Sequence, residues 1–104
     1  MAYANDQAPQ RSPTSPGEVL REEFLDPLGI SPSSLAEAIG FSRQSVYQLL
    51  SGSRSISAEM ALALGECLGT TPEFWLNLQE AVDLHKARST SRRKVVPLHR
   101  AATL

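Results

Sequence analysis

The sequence predicts an all-α fold of five short helices, and three features of the chain lead to that prediction. A serine or threonine stands just before each predicted helix, where its side-chain oxygen can accept a hydrogen bond from a backbone N–H of the first turn. Apolar residues recur at spacings of three and four, as they do on one face of a helix. No strand-like alternation interrupts residues 15–88. The predicted caps are Ser15, Ser31, Ser42, Ser57 and Thr71.

The first predicted helix begins with a capping box. Ser15 is at the cap, Pro16 is at the first helical position, and Glu18 follows the cap by three residues. Residues 26–29, which contain a proline and a glycine, end the helix. Its apolar face carries Leu20, Phe24 and Leu28.

The second and third predicted helices are separated by only about three residues, as a helix-turn-helix requires. The second helix follows Ser31-Pro32 and ends at Gly40, and the third occupies residues 42–52. The third helix is predicted to bury Val46, Leu49 and Leu50. This pattern favours a DNA-binding protein.

Polar side chains on the outer face of the third helix suit the edges of bases, because residues at the start of a recognition helix enter the major groove first. The predicted base contacts are Arg43, Gln44, Ser45 and Gln48. A second set is better placed for backbone phosphates, which fix register without reading sequence. The predicted phosphate contacts are Ser33, Ser42, Tyr47, Ser53 and Arg54.

The fourth and fifth predicted helices are more apolar. The fourth has a core-facing stripe, in which Cys67 is expected to act as a small hydrophobic residue, and it ends at Gly69. That stripe consists of Met60, Leu64, Cys67 and Leu68. The fifth, from Pro72 to about Arg88, has two apolar stripes, more than a small monomer can cover, so we expect a homodimer. The predicted dimer interface is Phe74, Trp75, Leu78, Val82 and His85.

Charge divides the chain into segments. Residues 1–85 hold four basic residues against all eleven acidic ones, a net charge of −7, whereas residues 86–104 carry six basic residues and no acid. We expect a disordered arm at 1–14, a DNA-binding and dimerisation domain at 15–88 and a basic tail at 89–104. Within the tail, residues 94–98 are β-prone, and the sequence leaves open whether they form one strand or an irregular end.

Several classes of function are disfavoured. The histidines His85 and His99 lack a cysteine or an acid at metal-ligand spacing, so we expect no metal and no cofactor. The acids of the first helix lack a basic or hydroxyl partner and are expected to be solvated, so we predict that the chain is not an enzyme. A single cysteine allows no internal disulfide, and neither a signal segment nor a membrane-spanning run is present, which favours a cytoplasmic protein.

The chain resembles HigA-type antitoxins, the helix-turn-helix branch related to phage repressors. The similarity lies in SPGEVLREEFL at 15–25, PLGIS at 27–31, TPEFWLNLQ at 71–79 and AVDL at 81–84. The resemblance implies a bacterial, dimeric repressor of its own operon that associates with the nucleoid when bound to a near-palindromic operator. It also implies that the chain binds and neutralises a RelE-like HigB toxin, which cleaves messenger RNA.

The sequence differs from the family pattern at two places. Position 85 is histidine where a bulky aromatic residue is expected, and residues 52–56 are less basic than the corresponding turn of relatives.

A stand-alone transcriptional regulator without a toxin would share every DNA-facing residue. A remoter alternative is an adaptor that uses the helical domain only for protein contacts.

Overall fold

The structure is a computed structural model that describes residues 12–99. Over this range it consists of five helices, as predicted, and no strand. Most of the predicted N-terminal arm, residues 1–11, and the end of the basic tail, residues 100–104, lie outside the described residues. No helix in the described part is both long enough and apolar enough to cross a membrane.

The first helix, α1, spans residues 16–28 and changes its hydrogen-bond pattern along its length. It is α-helical over Pro16–Val19, π-helical over Leu20–Leu25 and α-helical again over Asp26–Leu28. The proline at position 27 explains the wider turn, because its ring lacks an N–H and crowds the carbonyl four residues earlier. The N–H of Asp26 accordingly donates to the carbonyl of Arg21, five residues back.

The remaining helices are α2 (Pro32–Ile39), α3 (Arg43–Ser51), α4 (Ala58–Leu68) and α5 (Pro72–Thr90). All five predicted N-caps are confirmed, since each cap oxygen accepts a hydrogen bond from the backbone three residues later. The capping box of α1 is complete: the Ser15 Oγ accepts from Glu18 N at 3.1 Å, and Ser15 N donates to Glu18 Oε1 at 3.0 Å. Local sequence chemistry therefore fixes where every helix begins.

The core lies where all five helices meet. Trp75 of α5 is fully buried, and its Nε1 donates to Thr70 Oγ1 at 2.7 Å. The rings of Phe24 and Phe74 pack against it with centroid distances of 5.5 and 5.0 Å. The buried apolar residues are Leu20, Leu25, Leu35, Ala36, Val46, Leu49, Leu50, Ile56, Met60, Ala61, Leu64 and Trp75.

Gly17 allows α1 to lie directly on α3. A Cβ atom at this position would be 2.2 Å from the carbonyl oxygen of Leu49 and 3.0 Å from the Cα of Leu50. Only glycine permits so close an approach of two backbones. The C-terminal half of α3 is therefore held in place by backbone contact with the first turn of α1.

The structure decides one alternative that the sequence left open and corrects one expectation about the core. Residues 94–98 form no strand; they are irregular, and Val95, Val96 and Leu98 are exposed. In α4, Cys67 is exposed rather than buried. The core-facing side of that helix includes Ala61 and Gly65 instead, so its buried stripe is rotated relative to the predicted one.

Candidate nucleic-acid interface

The α2–turn–α3 unit presents one side to the core and the other to solvent. Gly40 adopts a left-handed conformation with φ of +77°, and α3 begins three residues later at Arg43. The N–H of Phe41 closes the turn by donating to the carbonyl of Ala36 at 3.1 Å. This is the arrangement in which a second helix can enter a DNA groove while the first crosses the backbone.

The outer face of α3 carries the predicted base contacts. Arg43 and Gln44 are exposed in its first turn, and Ser45 and Gln48 are half-buried beside them. Tyr47, which is 50% exposed, lies one turn after Arg43 and Gln44. Positions three or four residues apart share a helix face, so Gln44, Tyr47 and Gln48 form one polar surface, with Arg43 and Ser45 beside them.

Ser42 and Ser45 are linked at the start of α3. The Ser42 Oγ accepts from the backbone N–H of Ser45 at 3.0 Å and donates its own proton to Ser45 Oγ at 2.9 Å. A hydroxyl has one donor hydrogen and two acceptor lone pairs. In this pair Ser42 uses its hydrogen, whereas the hydrogen of Ser45 is left over for another acceptor.

Gln48 is oriented by Arg54, a contact that the sequence did not predict. The Arg54 Nε donates to Gln48 Oε1 at 3.2 Å. This contact uses one lone pair of Gln48 Oε1 and leaves the side-chain NH₂ group able to donate. Arg54 was predicted only as a phosphate contact, and its terminal guanidinium nitrogens still suit that role.

The loop after α3 is anchored by Gln79 of α5. Gln79 Oε1 accepts from the backbone N–H of Ile56 at 2.9 Å, and its Nε2 donates to Asp83 Oδ1 at the same distance. The loop that carries Arg54 is thereby fixed to the last helix. Sequence reasoning missed Gln79, because its partner is a backbone group 23 residues away and leaves no side-chain pattern.

The predicted phosphate contacts are spread along the α2–α3 unit, from the first turn of α2 to the loop after α3. Ser33 is half-buried in the first turn of α2, and Ser42 is exposed at the start of α3. Ser53 is exposed beyond the end of α3, where its backbone N–H donates to the carbonyl of Gln48 at 3.0 Å. Residues 31–57 contain two arginines and one glutamate, so the formal charge of the unit is only +1.

The predicted dimer interface is wrong at Trp75. Its exposure is 0%, since it fills the centre of the protomer core, so it has no surface to offer a second copy. Leu78, Val82 and His85 of the same stripe are half-buried by their own protomer. Phe74, 39% exposed, and Leu84, 44% exposed, are the large apolar side chains that α5 presents to solvent.

The structure also gives the surroundings of the residues considered as metal ligands. Within residues 12–99 no three His, Cys, Asp or Glu side chains cluster in a way that could hold a metal ion. His85 Nε2 instead lies 3.4 Å from Ser12 Oγ.

The fold and the exposed face of α3 define a helix-turn-helix protein, and comparisons with known proteins agree. The helix-turn-helix family model matches residues 20–75. Antitoxin HigA-1 of Vibrio cholerae is 49% identical over 80 residues, which cover 77% of this chain and 75% of that protein. The chain belongs to the helix-turn-helix family, in its HigA-type antitoxin branch.

Solved structures give the same result. Antitoxin GraA is 49% identical with a TM-score of 0.74, over 76% of this chain and 85% of that chain. The antitoxin HigA of Pseudomonas aeruginosa, solved with the higBA promoter, is 38% identical with a TM-score of 0.78, over 84% of this chain and 99% of that chain.

Proposed function

We propose that this chain is the antitoxin and autorepressor of a toxin–antitoxin operon. As a two-fold dimer it binds a near-palindromic operator in its own promoter, and it binds and neutralises a HigB-type toxin that cleaves messenger RNA. The observation that carries the DNA-binding part is the polar, solvent-facing side of α3, whose opposite side packs on the core. The relatives that are named as antitoxins, one of them solved with promoter DNA, support the rest.

The first turn of α3 supplies the main base contacts in this proposal. Arg43 donates to O6 and N7 of a guanine, and Gln44 makes a bidentate contact with an adenine, each worth about 1–3 kcal/mol of discrimination. Ser45 donates its free hydroxyl hydrogen. Gln48, whose oxygen accepts from Arg54, donates its NH₂ group to a base acceptor.

Phosphate contacts hold α3 in register. Side-chain hydroxyls and one guanidinium group serve this purpose, and they are spread along the α2–α3 unit. These residues are Ser33, Ser42, Tyr47, Ser53 and Arg54. Ser42 donates to a phosphate only when its hydrogen turns away from Ser45 Oγ.

The weak positive charge of one helix-turn-helix unit is our reason for proposing that the chain binds DNA as a dimer. Since nonspecific affinity comes mostly from phosphate neutralisation, a unit with a formal charge of +1 binds poorly alone, and a second copy doubles the contacts. We place the two recognition helices about one DNA turn, roughly 34 Å, apart. The exposed residues Phe74 and Leu84 of α5 are the leading contacts between copies.

The DNA-binding part is tested by replacing Arg43 or Gln44 with alanine and measuring binding to the chain's own promoter and to a scrambled fragment. We expect each variant to lose its preference for the promoter while circular dichroism shows unchanged helical content. Arg21→Ala is the matched control, since it removes one exposed cation from α1 and leaves α3 intact. A footprint of R43A or Q44A identical to that of the unmodified protein would overturn the assignment.

The antitoxin part is tested by co-expression with the neighbouring small basic reading frame. We expect growth rescue and co-purification of the two proteins. If no neighbour binds while promoter binding persists, the chain is a stand-alone regulator of the same fold.

A further inference from the structure

The basic segment at residues 86–99 is set apart from the rest of the chain by its charge. It carries five cations and no acid, whereas residues 1–85 have a net charge of −7. All five cationic residues are exposed. They are Lys86, Arg88, Arg92, Arg93 and Lys94.

Helix capping accounts for only part of this charge. Cations in the last turn of α5 stabilise the helix C-terminus through its dipole, and Arg88 is in that turn. The effect falls off within one turn, and α5 ends at Thr90. Arg92 donates from Nη1 to the carbonyl of Ser91 at the helix end, at 3.3 Å. Arg93 and Lys94 lie farther along the irregular segment, where the helix dipole no longer accounts for their charge.

The segment begins next to the candidate DNA surface. Lys86 lines a small cleft together with Gly52 and Arg54, which follow α3, and with Ser15 before α1. The same cleft includes Val82 of α5. The last helix therefore approaches the C-terminal end of α3, on the side of the loop predicted to contact phosphates.

From this position the segment is long enough to follow a DNA backbone. The nine residues 91–99 have no helix or strand, and an extended chain of that length spans up to about 30 Å. That length is close to one turn of duplex DNA, roughly 34 Å. We propose that residues 86–99 form a second DNA-binding element, which contacts backbone phosphates flanking the half-site read by α3.

This inference rests on the proposed DNA-binding function and removes a weakness in it. The α2–α3 unit has a formal charge of only +1, and the acidic remainder of the chain repels DNA. A toxin that acts on RNA is expected to be basic, so it makes a poor partner for this segment. The phosphates of DNA, in contrast, carry the complementary charge, and binding them does not require a particular base sequence.

The test compares the full chain with the charge variant R92Q/R93Q/K94Q. Binding to the promoter and to a scrambled fragment is measured by fluorescence anisotropy over a series of salt concentrations. The slope of log affinity against log salt changes by about 0.9 for each phosphate that a cation neutralises. Neutralising three cations in each of two protomers should therefore reduce the slope by about 5.

Both fragments should bind more weakly to the same degree, so that the preference for the promoter is retained, because phosphate contacts carry no sequence information. The matched control, V95S/V96S/L98S, changes the same segment without changing its charge and should keep the slope of the unmodified protein. An unchanged slope in the charge variant would overturn the proposal. So would a change of oligomeric state by light scattering with no change of slope, which would identify an acidic surface of a second copy as the partner.

The experiment separates the two proposals. If the unmodified protein shows no preference for its own promoter, the proposed function fails. If it prefers the promoter but the charge variant retains the full salt dependence, only the role of the basic segment fails.

Discussion

Gly17 offers a sharp test of how α3 is held, because the expected damage from one added methyl group is set by backbone atoms alone. In Gly17→Ala the Cβ would lie 2.2 Å from the carbonyl oxygen of Leu49 and 3.0 Å from Leu50 Cα. Real Cβ contacts are almost never shorter than 3.0 Å and are ordinarily 3.4–4 Å, so α1 and α3 must separate by about 1 Å. No side-chain rotation can relieve the contact.

The expected cost follows from two opposing effects. Overpacking a buried contact costs about 1–3 kcal/mol, occasionally more. Alanine recovers up to about 1 kcal/mol of helix propensity relative to glycine, and less than that in a first turn. We expect a net destabilisation of about 2 kcal/mol, together with weaker promoter binding, because α3 carries the proposed base contacts.

Urea unfolding is the appropriate assay, and Trp75, the chain's only tryptophan, is its fluorescence probe. Protomer concentration must be fixed, since dimerisation adds to apparent stability. Gly65→Ala is the matched comparison: its Cβ would lie 2.7 Å from the carbonyl oxygen of Thr70, a milder clash with one loop. A Gly17→Ala midpoint equal to that of the unmodified protein, or above that of Gly65→Ala, would refute the reasoning.

Three other substitutions remove side-chain hydrogen bonds and are tested by urea unfolding. Ser42→Ala removes the N-cap of α3 and should cost about 1 kcal/mol. Gln79→Ala leaves the partly buried N–H of Ile56 without its acceptor and should cost about 1–3 kcal/mol, with a matching loss of promoter affinity as the loop is released. Trp75→Phe removes the hydrogen bond to Thr70 and leaves a cavity in the core, so we expect the free energy of unfolding to fall by about 2 kcal/mol or more. Because this variant lacks the fluorescence probe, its unfolding is monitored by circular dichroism.

Each of these predictions has a contrary outcome. Ser42→Thr should restore most of the stability missing in Ser42→Ala, and failure to do so would argue against a capping role. Equal promoter affinity of Gln79→Ala and the unmodified protein would show that the loop does not depend on α5. A Trp75→Phe protein as stable as the parent would contradict the placement of this ring at the centre of the core.

The helix starts were predictable, because capping is a local interaction. Ser15, Ser31, Ser42, Ser57 and Thr71 each accept a hydrogen bond from the backbone only three residues away. The spacing of α2 and α3 also follows from neighbouring residues. The overall fold could therefore be predicted from short-range chemistry.

The orientation of helices in the core was harder to predict. In α4 the buried positions Ala61 and Gly65 are small and contribute little to an apolar pattern, so the larger Cys67 was assigned to the core although it is exposed. In α5 both apolar stripes are compatible with burial, and the sequence does not say which one contacts the rest of the protomer. Trp75 was placed on the dimer surface for this reason.

Features that depend on distant backbone atoms left no signal in the sequence. The Gln79 contact to Ile56 joins residues 23 positions apart, and the approach of Gly17 to α3 depends on the packing of two helices. The Gln48 contact to Arg54 requires the folded shape of the loop. The surface residues of the candidate site could be named in advance, but not the contacts that orient them.

The supports beneath the DNA-facing helix have a practical consequence for protein engineering. A designer who transplants only the turn and the two helices into another scaffold would leave behind the glycine below α3 and the glutamine below the following loop, since Gly17 and Gln79 lie outside that stretch. A swap of sequence specificity between relatives should therefore exchange the reading side chains alone, or else carry both supporting residues along.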